Sequence, residues 1–266
     1  MILLRLHMPS LTFALILTRI TLLEALRTRL AWLAVAFAIL SIGAAQFLNQ
    51  IALTEAHEIQ IAFVATGLRV GAVFLAVAFT ITSTIRDSND KIIEFLLAQP
   101  VSRSAYFYGK YLGLALVNAS LTLIFSLVMI PLAPSYSGLA TWAISLAMEL
   151  HLVSAIALLC ALSIPHVVTA FASTAGFYLL ARSVDTIRLI ASASPNPDPG
   201  TADVMIRHIV ELVAWLMPAL DGVTRTEWLI SHAPGWPSIG LLIAQFLLYI
   251  VLTGAATLFD LHRKSF

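Results

Sequence analysis

The chain has 266 residues, 60% of them hydrophobic and 11% charged, with a formal net charge of +1 and a mean hydropathy of +0.94. Ordinary soluble domains are roughly 45–50% apolar and about 25% charged, so this composition excludes a disordered chain, a nucleic-acid-binding tail and most soluble enzymes, and leaves a protein whose main solvent is lipid. The near-zero charge gives no field to steer an anionic partner, and the single Cys160, with no Cys/His spacing of the zinc type, excludes an intramolecular disulfide.

Residues 1–30 come first. Ser10–Leu17 is apolar but short, and Arg19, Glu24, Arg27 and Arg29 follow it without a small-residue cleavage site, so a cleaved signal peptide is not expected. An interfacial helix fits better. Leu15, Ile16, Ile20, Leu23, Leu26 and Leu30 fall mostly on one helical face, with Thr21, Glu24 and Thr28 opposite. The alternative is that Leu11–Ile20 extends the apolar core.

A bilayer core needs about 20 apolar residues per helix. Six stretches are predicted to span it: Ala31–Gln50, Ile61–Ile85, Tyr106–Ala133, Leu139–Ile164, Val167–Ala181 and Ser238–Phe259. The fifth is short by this rule. Lys and Arg set the orientation. Ten of the fifteen lie in the N-terminal segment, around the loop after span two, and in the tail, while residues 51–60 and 134–138 hold none and 182–237 holds four. Both termini are therefore expected in the cytoplasm, with Trp142, Trp215, Trp228 and Trp236 near the outer interface and Trp32 near the inner one. No internal repeat is visible, so the chain reads as one all-α polytopic domain over residues 1–266.

Between spans two and three, Arg86–Gly113 reads RDSNDKIIEFLLAQPVSRSAYFYGKYLG. Asn89–Ala98 is predicted to be a short amphipathic helix, with Ile92, Ile93, Leu96 and Leu97 on its apolar stripe and Asp87, Asp90, Lys91 and Glu94 on its polar side. Asp87 or Ser88 would cap its start. Pro100 ends it, because the residue before a proline is pushed out of the helical region. Ser102-Arg103 then opens the next helix, whose first turns carry Tyr106, Tyr108 and Lys110. Such a rod is either an interfacial helix with a solvated face or a handle for a cytoplasmic partner whose groove takes the apolar stripe.

Three runs in this stretch carry a resemblance: Ile93-Glu94-Phe95-Leu96-Leu97, Pro100-Val101-Ser102-Arg103 and Gly109-Lys110-Tyr111-Leu112-Gly113. With the six spans, the N-terminal helix and the large external segment between spans five and six, they resemble the permeases of the ABC-2 type exporters. The likeness is notably to the stand-alone permeases, among them the membrane subunit of the nitrous oxide reductase maturation system. Where many relatives carry Glu and Gly, this chain has Ser88-Asn89-Asp90. The resemblance implies a coupling segment over residues 86–105, with Arg86, Asp87, Asp90, Lys91, Glu94, Phe95, Leu97, Pro100 and Arg103 as its ATPase-facing residues. It also implies two copies of a P-loop ATPase that binds ATP and magnesium, a second permease copy, and a place in the cell inner membrane. The only Gly-Lys pair here, Gly109-Lys110, lacks the upstream Gly of a phosphate-binding loop and is followed by Tyr. No cofactor of its own, no metal, no nucleic-acid partner and no catalytic residue are expected of the chain.

Two charges fall inside spans. Arg69 and Glu149 lie at similar depth, and a charge at mid-membrane costs about 2.5–3.5 kcal/mol on insertion scales, so they are predicted to pair, as an internal brace or as part of a cargo or proton path. His151 and His166 are lone histidines. The run 170–176 is small enough for close helix packing, within the subunit or at a dimer seam. The external segment 182–237 is broken by prolines at 195, 197 and 199, and Val204–Met217 reads as amphipathic. The resemblance implies that it closes the path from outside; on the residues alone it docks an external partner or only seals the fold. Three functions remain open on the residues: a permease, a membrane transmitter driven by an ATPase without moving solute, and an intramembrane enzyme using Glu149, His151 or His166.

Overall fold

The computed structural model describes residues 10–51, 56–92, 102–193, 201–218, 220, 222, 224, 226–230 and 236–263. Among them the fold is all-α, with α1 (Ser10–Arg27), α2 (Leu30–Ile51), α3 (Ala56–Asn89), α4 (Arg103–Met129), α5 (Tyr136–Ser163), α6 (Val167–Ala193), α7 (Thr201–Leu216), α8 (Glu227–Ile230) and α9 (Trp236–Arg263). Six of these, α2 to α6 and α9, are long and apolar enough to cross a membrane.

The two helices at the centre, α3 and α5, are buried along much of their length; α2, α6 and α9 are peripheral. Both central helices carry mixed large and small apolar residues on most of their faces, the pattern of a helix surrounded by others. At 34 residues, α3 is about 50 Å long against a hydrocarbon core of about 30 Å. Its ends therefore stand clear of the lipid, and its last turn carries Arg86 and Asp87.

The end of α3 corrects one expectation. Asp87 and Ser88 do not cap a new helix, because α3 runs through both. The break falls at Lys91, whose φ of 55° lies in the left-handed region that terminates helices. Asp90 N donates to Arg86 O at 2.9 Å and Lys91 N to Ser88 O at 3.1 Å, closing the last turns. The sequence holds no proline or glycine between Gly71 and Pro100, so nothing stops the span's ladder where the polar residues begin. Glu94, Phe95, Leu97 and Pro100 lie outside the described residues. Past them, α4 opens on the Ser102 side chain, which accepts from Ala105 N at 3.2 Å and caps the helix.

Two tryptophans depart from interfacial anchoring. Trp142 is fully buried on α5, and Trp228 on α8 is 9% exposed, folded with Leu229 onto α3 and α5. The short fifth span is also longer than predicted. α6 continues twelve residues past Ala181, so Arg182 is a helical residue and not the start of a loop. The small-residue run splits between faces: Ala170 and Thr174 turn into the bundle, whereas Ala172 and Ser173 are exposed. α7 lies against α6 with Met205, Ile209, Leu212 and Leu216 left on its exposed face.

α1 packs more extensively on α4 than on any other helix. Leu15, Ile16, Ile20, Leu23 and Leu26 are exposed, while Ala14, Leu17, Thr18, Thr21 and Ala25 are buried. The side that bears Thr21 and Glu24 is thus turned onto the bundle.

Candidate functional site

Charged side chains are buried at two levels of the bundle. The first group lies where α3 ends and α4 begins. Lys110 is 1% exposed, and its Nζ donates to Asp87 Oδ2 at 2.6 Å and to Ser83 Oγ at 2.7 Å. Ser83 and Asp87 are four residues apart and so share a face of α3. Ser83 Oγ donates to Glu24 Oε2 of α1 at 2.6 Å, and that oxygen lies 3.9 Å from Lys110 Nζ. Arg86 Nη1 approaches Glu24 Oε1 at 3.4 Å; its side chain is largely in solvent, so this outer pair is worth at most about 1 kcal/mol. Two carboxylates thus balance two cations where three helices meet. The Lys110–Asp87 pair is the inner and stronger one, charge-assisted, short and shielded from water.

Arg103 closes the same end from the other side. Its Nη1 donates to Leu261 O at 2.6 Å and His262 O at 3.1 Å, which places a cation on the last carbonyls of α9. Ser163 Oγ donates to Asp260 Oδ2 at 2.9 Å and adds the end of α5. Of the residues assigned to ATPase coupling, Asp87 and Arg86 therefore belong to the cluster and Arg103 to the α9 tie. Asp90 and Lys91 are exposed in the turn between α3 and the undescribed residues 93–101.

The second group lies deeper. Arg69 on α3 and Glu149 on α5 are each thirteen residues into parallel-running helices and are both fully buried. The structure brings them together: Arg69 Nη1 donates to Glu149 Oε2 at 2.6 Å, and Nη2 donates to Ser145 Oγ at 2.9 Å. The Arg69 guanidinium also stands 5.5 Å over the Trp142 ring, a cation–π distance that accounts for the burial of that tryptophan. Glu149 Oε1 accepts from Tyr178 OH of α6 at 2.8 Å, with Arg182 Nη1 3.5 Å away. Arg182 Nη1 donates to Tyr178 OH at 2.6 Å. One carboxylate thus joins α3, α5 and α6.

His151 does not extend this group: its Nδ1 lies 2.6 Å from Ala147 O of its own helix. His166 is exposed in the turn before α6. Among the described residues, no three His, Cys, Asp or Glu side chains come together in a way that could hold a metal ion.

Sequence reasoning singled out Arg69, Glu149, Arg86, Asp87 and Arg103, and missed Glu24, Ser83, Lys110, Tyr178 and Arg182 as partners. A signal existed for two pairs. Ser83/Asp87 and Tyr178/Arg182 are both spaced four apart, which aligns polar groups on one helical face. Nothing local marks Glu24, since its partners Ser83, Arg86 and Lys110 lie far along the chain.

A family model described as ABC-2 family transporter protein matches residues 15–259, from within α1 to within α9. No curated protein matches the chain.

Proposed function

The chain belongs to the ABC-2 transporter family as a multi-pass, membrane-spanning permease subunit of an ABC transporter, and from that premise we propose how it is driven. Two permease copies enclose the path, and two separate ATPase copies hydrolyse magnesium-bound ATP and dock on the segment between α3 and α4. Both termini and that segment face the cytoplasm of an inner-membrane protein, and the cargo moves outward. Glu94, Phe95, Leu97 and Pro100 provide the groove-filling and register contacts of the docking segment. The region 182–237 faces outside as a lid or as the seat of an external partner.

The observation that carries this reading is the short connection between two long helices. Residues 90–102 join the end of α3 to the start of α4, and the Lys110–Asp87 pair ties the two helices immediately inside that connection. Any force on the segment reaches two spans at once. Ten of the fifteen Lys and Arg residues fall in the N-terminal segment, around this connection and in the tail, against four in 182–237, which agrees with a cytoplasmic face. α2, α6 and α9 keep most of their apolar surface outside the subunit, enough for lipid and a second copy. Arg69 and Glu149 act in this scheme as a brace that keeps α3, α5 and α6 in register.

Copurification tests the reading. The permease should bring a P-loop ATPase with it, and Glu94→Arg or deletion around Pro100 should release that ATPase; unchanged association after both changes removes the docking role. Cargo-stimulated ATP hydrolysis in vesicles, with net outward movement, separates an exporting permease from a transmitter that moves no solute.

A further inference from the structure

The run Gly109-Lys110-Tyr111-Leu112-Gly113 enters the reading above only as a flank of the docking segment, yet its side chains serve two directions at once. Gly109 and Gly113, one turn apart on α4, face α1. A Cβ on Gly109 would lie 2.8 Å from Ala14 O and 2.9 Å from Ala14 Cα, and one on Gly113 would lie 2.6 Å from Thr21 Cβ. Any side chain there would push α1 off. Thr18 Oγ1 donates to Gly109 O at 3.0 Å and fixes the register. Lys110, between the two glycines, reaches to α3 and pairs with Asp87 and Ser83. Glu24 closes the third side by accepting from Ser83.

We propose that Lys110 is a positioning residue for the ATP-driven stroke: it locks the base of α3, the base of α4 and the whole of α1 into one rigid body. The inference rests on the permease reading and assigns a mechanical role to α1 that the docking segment alone does not require. Asp87 and Lys110, on the helices that flank the segment, are joined by an ion pair out of water. With the pair closed, a displacement of residues 90–102 cannot be absorbed by splaying α3 from α4. It is passed on to α1, which is seated on bare α4 backbone. The exposed Leu15, Ile20, Leu23 and Leu26 then travel with the stroke, so α1 carries it to the surrounding acyl chains. With the pair open, each end of the segment moves its own helix, and α1, still seated on α4, loses its fixed relation to α3.

The test uses the assembled transporter in nanodiscs, with Cys160→Ser as background and spin labels at Arg19→Cys on α1 and Thr82→Cys on α3, both exposed. The expected result is one narrow α1–α3 distance that is the same without nucleotide and in the vanadate-trapped state. Lys110→Met should broaden that distance and make it shift on trapping, and Lys110→Arg, which keeps the cation, should restore the narrow distribution. If Lys110→Met does not assemble, Asp87→Asn should show the same broadening to a smaller degree. A distance in Lys110→Met or Asp87→Asn as narrow and as nucleotide-insensitive as in the parent overturns the proposal, as does a parent distance that itself shifts on trapping. The ATPase copurifying with the parent protein checks the premise separately. Its absence sinks the permease reading and this inference with it, whereas its presence with an unaltered Lys110→Met distance sinks this inference alone.

Discussion

Glu149 is the residue on which the deeper group depends, because it is the acceptor for Arg69, for Tyr178 and, at longer range, for Arg182. Removing one partner of a buried ion pair leaves the other charge without compensation and costs about 3–5 kcal/mol, whereas replacing both by apolar residues is often close to neutral. Glu149→Gln should therefore lower the melting temperature and folded yield sharply, and the double variant Arg69→Met with Glu149→Met should be less damaged than Glu149→Gln alone. Thermal unfolding in detergent measures both. If Glu149→Gln instead keeps its yield and loses only transport, the carboxylate handles cargo or protons and is not a brace. Tyr178→Phe removes one hydroxyl that donates to a charged acceptor, so its cost should be smaller, about 1.5–3 kcal/mol. The pairing of Arg69 with Glu149 was legible from depth alone, because two charges in lipid at one level have few other partners. Tyr178 and Arg182 were not, because the charge of Arg182 made the fifth span look finished at Ala181. The helix in fact continues, and the arginine folds back onto the group that precedes it.

At the scale of elements, the α1–α4 seat explains why a helix rich in exposed leucine is held at all. Its apolar face points away from the protein, so its attachment comes from close backbone approach at Gly109 and Gly113 and from the Glu24–Ser83–Lys110 chain. Gly113→Val would have to displace Thr21, and overpacking of this kind costs about 1–3 kcal/mol. It should lower thermal stability and speed hydrogen exchange of the α1 amides. Gly43 on α2 makes the contrast: a Cβ there meets nothing within 4 Å. Gly43→Ala should be neutral or stabilise by up to about 1 kcal/mol, through helix propensity alone. Equal effects of the two changes on α1 exchange would contradict the seat. The helix periods were readable because lipid and core both demand apolar residues, and that demand shows in every span. What could not be read was which face meets protein. In water the apolar face of α1 would be the buried one, but next to lipid the small and hydroxyl-bearing face packs, as expected where close approach and hydrogen bonds drive association.

At the scale of the whole molecule, the bundle has two unlike ends. One gathers the last turn of α3, the first of α4, and the ends of α5 and α9, tied by Arg103 to the carbonyls of Leu261 and His262 and by Ser163 to Asp260. The other is covered by α8, whose Trp228 and Leu229 sink between α3 and α5. The tied end has the basic excess, and positive charge near short loops favours retention on the cytoplasmic side. A side assignment follows that single cysteines can check in a Cys160→Ser background. Tyr136→Cys, 83% exposed at the start of α5, should react with a membrane-impermeant maleimide in intact cells. Lys91→Cys, in the turn after α3, should react only in inside-out vesicles. Both substitutions fall on exposed positions, so a failure to fold is not expected to obscure the result. Labelling of Lys91→Cys from outside would turn the molecule over and place the proposed docking segment where no ATP-driven partner could reach it. The opposite pattern would leave the tied end as the face at which force from ATP hydrolysis can enter, because only that face would meet the cytoplasm.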